Sequence, residues 1–235
     1  MEQPSDTARN AYIDLLKRSV TNYSYLGGDT PFERFRCVVH YDLPRARWKI
    51  DPIARPITLL TTGQLDLIEQ SILSVESRGV PGDFIEAGIW RGGVIIMMRA
   101  MLNAHGIANR RVFAADSFEG IPKNTRALND PVDGWRDRWA ASLEEVKGNI
   151  ERFGLLDDRI EFVPGYFADT LPKLTVEKFA LMRLDSDSYD SVEESLVYLY
   201  PASQAAASSS LMIGTSSAAR PPSKTTARGT ALTKS

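Results

Sequence analysis

The 235-residue chain is long enough for one α/β domain with a buried core, and 43% hydrophobic with 25% charged residues is the composition of an ordinary globular protein. A net charge of -2 shows no basic excess, which argues against a nucleic-acid partner, and the single cysteine, Cys37, excludes an intrachain disulfide or a cysteine zinc cluster. Two histidines, His40 and His105, leave little for a histidine metal site or a hydrolytic triad, so any metal is expected on oxygen ligands.

Met1 to Asn10 is polar without the basic-then-apolar order of a secretory signal, and no apolar run approaches the ~20 residues needed to span a bilayer. A cytoplasmic protein with no membrane partner is expected, with Cys37 a packed small residue rather than a nucleophile. Ala11 to Ser19 has helical spacing, with Tyr12, Leu15 and Leu16 on one side and Lys17 and Arg18 toward the other. Asn22 to Ile57 is rich in Gly, Pro, Arg and aromatic residues without a period and reads as an irregular cap or lid. Thr61 or Thr62 caps a helix whose apolar face is Leu65, Leu67, Ile68 and Ile72, ended by Gly79 and Pro81.

From there strands and helices alternate. Strands are predicted at Asp83 to Gly88, Arg111 to Asp116, Arg159 to Val163 and Phe179 to Asp185, with helices at Val94 to Leu102, Leu143 to Phe153 and about Ser191 to Tyr200. This order predicts a doubly wound, mostly parallel Rossmann-like α/β sheet, its ligand site at the carboxyl ends of the strands. Two of these strands end in acids at that edge, Asp116 and Asp185, and Glu86 lies near the end of the first. The domain reading is a helical and irregular cap over 1–60, a Rossmann-like domain over 61–201 and a tail over 202–235.

Phe84-Ile85-Glu86-Ala87-Gly88-Ile89-Trp90-Arg91-Gly92-Gly93 joins the first strand to its helix. Glycines permit positive φ and close approach, and a helix amino end offers unpaired N–H groups. The spacing is Glu-x-Gly-x-x-x-Gly-Gly rather than Gly-x-Gly-x-x-Gly, and Glu86 would repel a pyrophosphate yet attract the positive end of S-adenosylmethionine. An NAD-binding oxidoreductase is therefore disfavoured; a tight turn with no ligand is the bland alternative. Asp116 lies 30 residues beyond Glu86 at a second strand end, where an acid accepts ribose hydroxyls.

Arg183-Leu184-Asp185-Ser186-Asp187-Ser188-Tyr189 ends the fourth strand with two carboxylates. One could coordinate a hard cation and the other remove a proton, or Asp187 could simply cap the next helix. Tyr166 or Phe167, after the third strand, either stacks on an adenine or packs in the core. Trp135 and Trp139 line a substrate groove or anchor a loop, and anchoring is the favoured reading.

In order, Phe-Ile-Glu-Ala-Gly-Ile-Trp-Arg-Gly-Gly, Asp-Ser-Phe-Glu-Gly-Ile-Pro, Gly-Tyr-Phe-Ala-Asp-Thr-Leu-Pro and Arg-Leu-Asp-Ser-Asp-Ser-Tyr-Asp-Ser make the chain from about Tyr12 to Pro201 resemble the macrocin O-methyltransferase family. The resemblance implies the class I methyltransferase fold and methylation of a sugar hydroxyl on a small-molecule glycoside, with S-adenosylmethionine and magnesium. It places Glu86 and Gly88 at the methionine end of the cofactor and Asp116 at its ribose, with Arg91, Gly92, Ser117, Tyr166 and Phe167 also cofactor-binding. Asp185 becomes a metal ligand and Asp187 the candidate base. Self-association is common in such relatives, so a homo-oligomer is a further expectation.

After Pro201 the resemblance fails. It implies a Gly-rich turn, an apolar strand and an Asp-Asp pair completing the magnesium site, whereas Ala202 to Ser235 holds 21 Ala, Ser or Thr among 34 residues and no Asp or Glu. That composition reads as a disordered basic tail, a sheet truncated at its C-terminal strands, weakened magnesium binding and low stability. A shifted reading frame accounts for the break. Codons exist for Ala202 to Gly214 that, read two bases later, encode Lys-Pro-Gly-Gly-Gly-Phe-Ile-Ile-Val-Asp-Asp-Trp, and the second Asp follows from any Met-Ile codon pair.

Overall fold

The computed structural model describes residues 5–26, 39–42, 47–50, 56–122, 139–204 and 210–213. Five parallel strands form one sheet: β3 (Asp83–Ala87), β4 (Val112–Asp116), β5 (Ile160–Pro164), β6 (Phe179–Leu184) and β7 (Ser210–Ile213), in the order β5-β4-β3-β6-β7. The chain starts at β3, winds outward to β4 and β5, then returns to place β6 on the other side of β3. The crevice at the carboxyl ends of β3 and β6 is thus the topological switch point, where open α/β sheets bind ligands.

Side chains alternate between two cores. Phe84, Ala114 and Leu181 face one layer with helices α1 (Asp6–Val20), α3 (Thr62–Ser77), α4 (Gly93–Ala104) and α5 (Leu143–Arg152). Ile85, Phe113, Ala115, Met182 and Leu184 face the other, with α6 (Phe167–Thr170), a 3-10 turn at Leu171–Lys173 and α7 (Tyr189–Gln204). Helix α4 is buried along Gly93 to Leu102, the pattern of a central helix. Its one charge, Arg99, is answered by Asp157 and Asn103. Thr61 and Gln64 form a reciprocal capping box that starts α3.

The predicted strands and helices from residue 61 to 200 are found within a few residues of their expected bounds, and the class is the expected Rossmann-like one. Four details differ. Helix α1 buries Ile13, Leu16, Lys17 and Val20, whereas Tyr12 and Leu15 are exposed. Lys17 tolerates burial because its ammonium donates to Asp66 (2.5 Å) and Glu69 on α3. Leu67, expected on the apolar face of α3, is 54% exposed.

The irregular stretch before residue 57 holds a short helix α2 (Tyr23–Leu26) and an antiparallel pair, β1 (Val39–Asp42) with β2 (Arg47–Ile50). The segment after Pro201, expected to contribute no strand, supplies β7, paired from Leu181↔Ser210 to Leu184↔Ile213, and α7 runs through Pro201 to Gln204. Ladder hydrogen bonds are made by the backbone, so the open edge of β6 accepts a strand even from a segment of weak strand composition. Cys37 and Trp135 lie outside the described residues, in which no helix is long and apolar enough to cross a membrane.

Candidate active site

Glu86 and Arg183 stand opposite each other in the β3·β6 ladder and share one face of the sheet. Both are buried; Glu86 is 1% exposed. The Arg183 guanidinium donates through Nη1 to Glu86 Oε1 and through Nη2 to Asp185 Oδ2 at 2.6 Å. Burial pushes the Glu86 carboxyl up to about 8; Arg183 pulls it down, while Asp185 and Asp116 push it further up. One guanidinium serves two carboxylates, so the more deeply buried acid is the one whose charge is disfavoured. Burial opposes the Arg183 cation, but Glu86 and Asp185 together raise its pKa above the ordinary value.

Above this cluster two loops cross. Gly88, at φ +88°, packs directly on the backbone of Asp185, and the Asp185 N–H donates to the Ala87 carbonyl at 2.9 Å. The glycine is needed for this backbone approach, as only a residue without Cβ fits both the space and the φ. Gly92, at φ +86°, caps α4, and a Cβ there would lie 3.0 Å from Val146 Cγ1.

Asp116, at the tip of β4, braces the same loop. Its Oδ2 accepts from the N–H groups of Ile89 (2.8 Å) and Trp90 (3.2 Å), and its Oδ1 from Phe118 (2.9 Å). Burial raises its pKa against the pull of these N–H groups. Ser117 shapes the following turn, its hydroxyl donating to the Gly120 carbonyl at 2.6 Å. Arg91 staples the loop sideways, donating to Glu145 Oε1 at 2.8 Å and to the Pro56 carbonyl. Its carbonyl accepts from Asn149.

The remaining predicted residues separate. Phe167 is buried in the second core, whereas Tyr166 is 39% exposed at the carboxyl end of β5, which leaves Tyr166 as the ring accessible for stacking. Asp187 is half-buried in the turn into α7; the cap of that helix falls to Ser188, whose hydroxyl accepts from the Ser191 N–H at 3.3 Å. Trp139 anchors against Trp90, edge to face with centroids 5.9 Å apart. Arg183 is the residue that sequence reasoning missed. Its signal was a cation inside an otherwise apolar run, Phe179 to Leu184, two residues before Asp185.

Two fits follow from the donor atoms. The buried Oε2 of Glu86 has no hydrogen-bond partner among the described residues, so the base of the loop keeps one unsatisfied polar oxygen for a ligand. Asp185 Oδ2 is held by Arg183, which leaves Oδ1 as the one oxygen this carboxylate offers a hard cation. Among the described residues no three His, Cys, Asp or Glu converge on a metal position. The cation fit is therefore partial: Asp185, with Asp187 two residues on.

A parallel sheet with a glycine loop and acids at its switch point is the framework of a Rossmann-like α/β protein. Residues 9–207 match the macrocin-O-methyltransferase (TylF) family, and the chain belongs to it, as an O-methyltransferase. The chain is 39% identical over 203 residues to 8-demethyl-8-(2,3-dimethoxy-alpha-L-rhamnosyl)-tetracenomycin-C 4'-O-methyltransferase of Streptomyces olivaceus, covering 84% of this chain and 77% of that one. It is 34% identical over 207 residues to mycinamicin III 3''-O-methyltransferase of Micromonospora griseorubida, covering 83% and 79%. Among solved structures it resembles the O-methyltransferase NovP, with TM-score 0.70 and 31% identity over 83% of this chain and 80% of that one.

Proposed function

We propose that the chain transfers the methyl group of S-adenosylmethionine to a sugar hydroxyl of a small-molecule glycoside, with magnesium assisting at Asp185. The observation that carries this reading is the crossing of the loops at the switch point, where Gly88 packs on Asp185. That contact supports the reading, because it brings the proposed donor loop against the proposed cation ligand. One relative is named for a rhamnosyl substrate, which supports a sugar as acceptor.

When bound, the donor supplies an electrophilic methyl on a sulfonium, and magnesium a charge that eases loss of a hydroxyl proton. The chain's residues do the rest. Glu86, Gly88, Arg91 and Gly92 hold the methionine end, Asp116 and Ser117 the ribose, and Tyr166 flanks the adenine. Asp185 holds the cation. Asp187 would take the proton from the acceptor hydroxyl, to which the bound donor would supply its methyl group and depart as S-adenosylhomocysteine.

The test is transfer of labelled methyl from S-adenosylmethionine to a panel of rhamnosylated natural products, with magnesium and with chelator. Magnesium-dependent labelling is expected; labelling unaffected by chelator removes the metal from the reading. A second reading, a chain that binds the donor without turnover, is favoured by the incomplete metal set and by the absence of Asp and Glu after Pro201. Donor binding without labelling of any glycoside selects it. The proposal includes a cytoplasmic setting, no nucleic-acid or membrane partner, and self-association, which light scattering tests.

A further inference from the structure

We propose that Arg183 is a positioning residue for the methyl donor: it fixes the Glu86 carboxyl so that Oε2 is the oxygen left for the methionine end of S-adenosylmethionine. This rests on the function proposed above. The buried guanidinium is forked, with Nη1 on Glu86 Oε1 and Nη2 on Asp185 Oδ2. A carboxyl held by one oxygen keeps its other oxygen in a fixed direction. That other oxygen, Oε2, is buried and has no hydrogen-bond partner among the described residues. Native proteins seldom leave a buried oxygen unpaired, and the amino-acid end of the donor, with an ammonium and a carboxylate, carries the polar groups to complete it. Asp185 is the second tether: without it, the guanidinium would have one partner and freedom to swing.

Glu86 and Arg183 are direct partners in the β3·β6 register, at the switch point of the sheet, so the sheet itself sets where the carboxyl stands. A lysine cannot reproduce the fork. An ammonium is a point charge, whereas the guanidinium meets two carboxylates in fixed directions. Charge and orientation act differently on the donor. A cation beside the site repels the donor's ammonium but attracts its carboxylate, and Arg183 is itself matched by two acids. These charge effects oppose one another, which leaves orientation as the larger contribution.

The experiment titrates the full chain by calorimetry with S-adenosylhomocysteine and with methylthioadenosine, which has the same nucleoside but no methionine end. Arg183→Lys keeps the charge and loses the fork. It is expected to weaken S-adenosylhomocysteine about ten-fold, the scale of one hydrogen bond to a charged group, while methylthioadenosine stays within about two-fold. A merely structural role would weaken both ligands together; equal losses, or an unchanged S-adenosylhomocysteine affinity, overturn the proposal. If Arg183→Lys does not fold, Arg183→Gln, which keeps an N–H donor for Glu86 but no second arm for Asp185, carries the same comparison. Failure of both variants to fold makes the guanidinium a structural element only and also overturns it. A wild type that binds S-adenosylhomocysteine no more tightly than methylthioadenosine defeats this proposal alone; one that binds neither defeats the proposed function as well.

Discussion

Gly88 and Asp185 meet backbone to backbone: a β-carbon on Gly88 would lie 2.8 Å from the carbonyl carbon of Asp185 and 3.2 Å from the nitrogen of Ser186. Gly88→Ala therefore combines a left-handed φ of +88° with a clash that only backbone movement can relieve. The expected cost is at least about 2 kcal/mol. Urea unfolding measures it, and an unchanged midpoint would contradict the contact.

The buried Glu86 makes stability depend on pH in an unusual direction. Its carboxyl is raised from an ordinary 4.5 to about 8, so between these values the folded chain holds a proton that the unfolded chain releases. This contribution is fully present below pH 4.5 and is lost as pH rises through about 8. Denaturation across that window should show the wild type losing stability relative to Glu86→Gln, which cannot titrate. Parallel pH profiles for the two proteins would refute it.

Asp116 links β4 to the loop through three N–H groups. Replacing it with Asn turns one acceptor oxygen into a donor facing those groups, at an expected cost of about 1–3 kcal/mol. Donor affinity should fall with it, since the loop loses its brace. Calorimetry with S-adenosylhomocysteine on Asp116→Asn reads the loss, and unaltered affinity would separate the brace from the ligand site.

Much of the core was legible because period and punctuation agreed with the fold. Thr61 or Thr62 as a cap announced α3, and the apolar runs ending in Asp116 and Asp185 announced β4 and β6. What escaped was decided by tertiary partners. Lys17 is inside α1 only because Asp66 and Glu69 wait on another helix, and Arg183 is inside β6 only because Glu86 stands beside it in register. The β1·β2 pair escaped because its alternation, Val39-His40-Tyr41-Asp42 and Arg47-Trp48-Lys49-Ile50, lasts only four residues on each strand within a stretch rich in Gly, Pro and Arg, and β7 because pairing with β6 is a backbone event. At the site, the acids were legible as strand tips, but not that Asp116 and Arg91 already hold protein groups.

The nucleotide sequence from codon 202 is expected to contain, out of phase, an apolar run followed by Asp-Asp. Sequencing decides it: no single-base shift yielding that pair would contradict the frame explanation. A chain with the frame restored is expected to bind magnesium more tightly than the chain with the Ala, Ser and Thr tail, because magnesium binds with more affinity as carboxylate ligands are added.

The carboxyl-end edge of the sheet beside Gly88 and Asp116 is the proposed S-adenosyl site, and calorimetric titration of S-adenosylhomocysteine, with NAD in parallel, tests that most directly. One equivalent of S-adenosylhomocysteine bound, with no heat from NAD, is the predicted result. Saturable binding of NAD, or none of S-adenosylhomocysteine to a cooperatively folded sample, would contradict it.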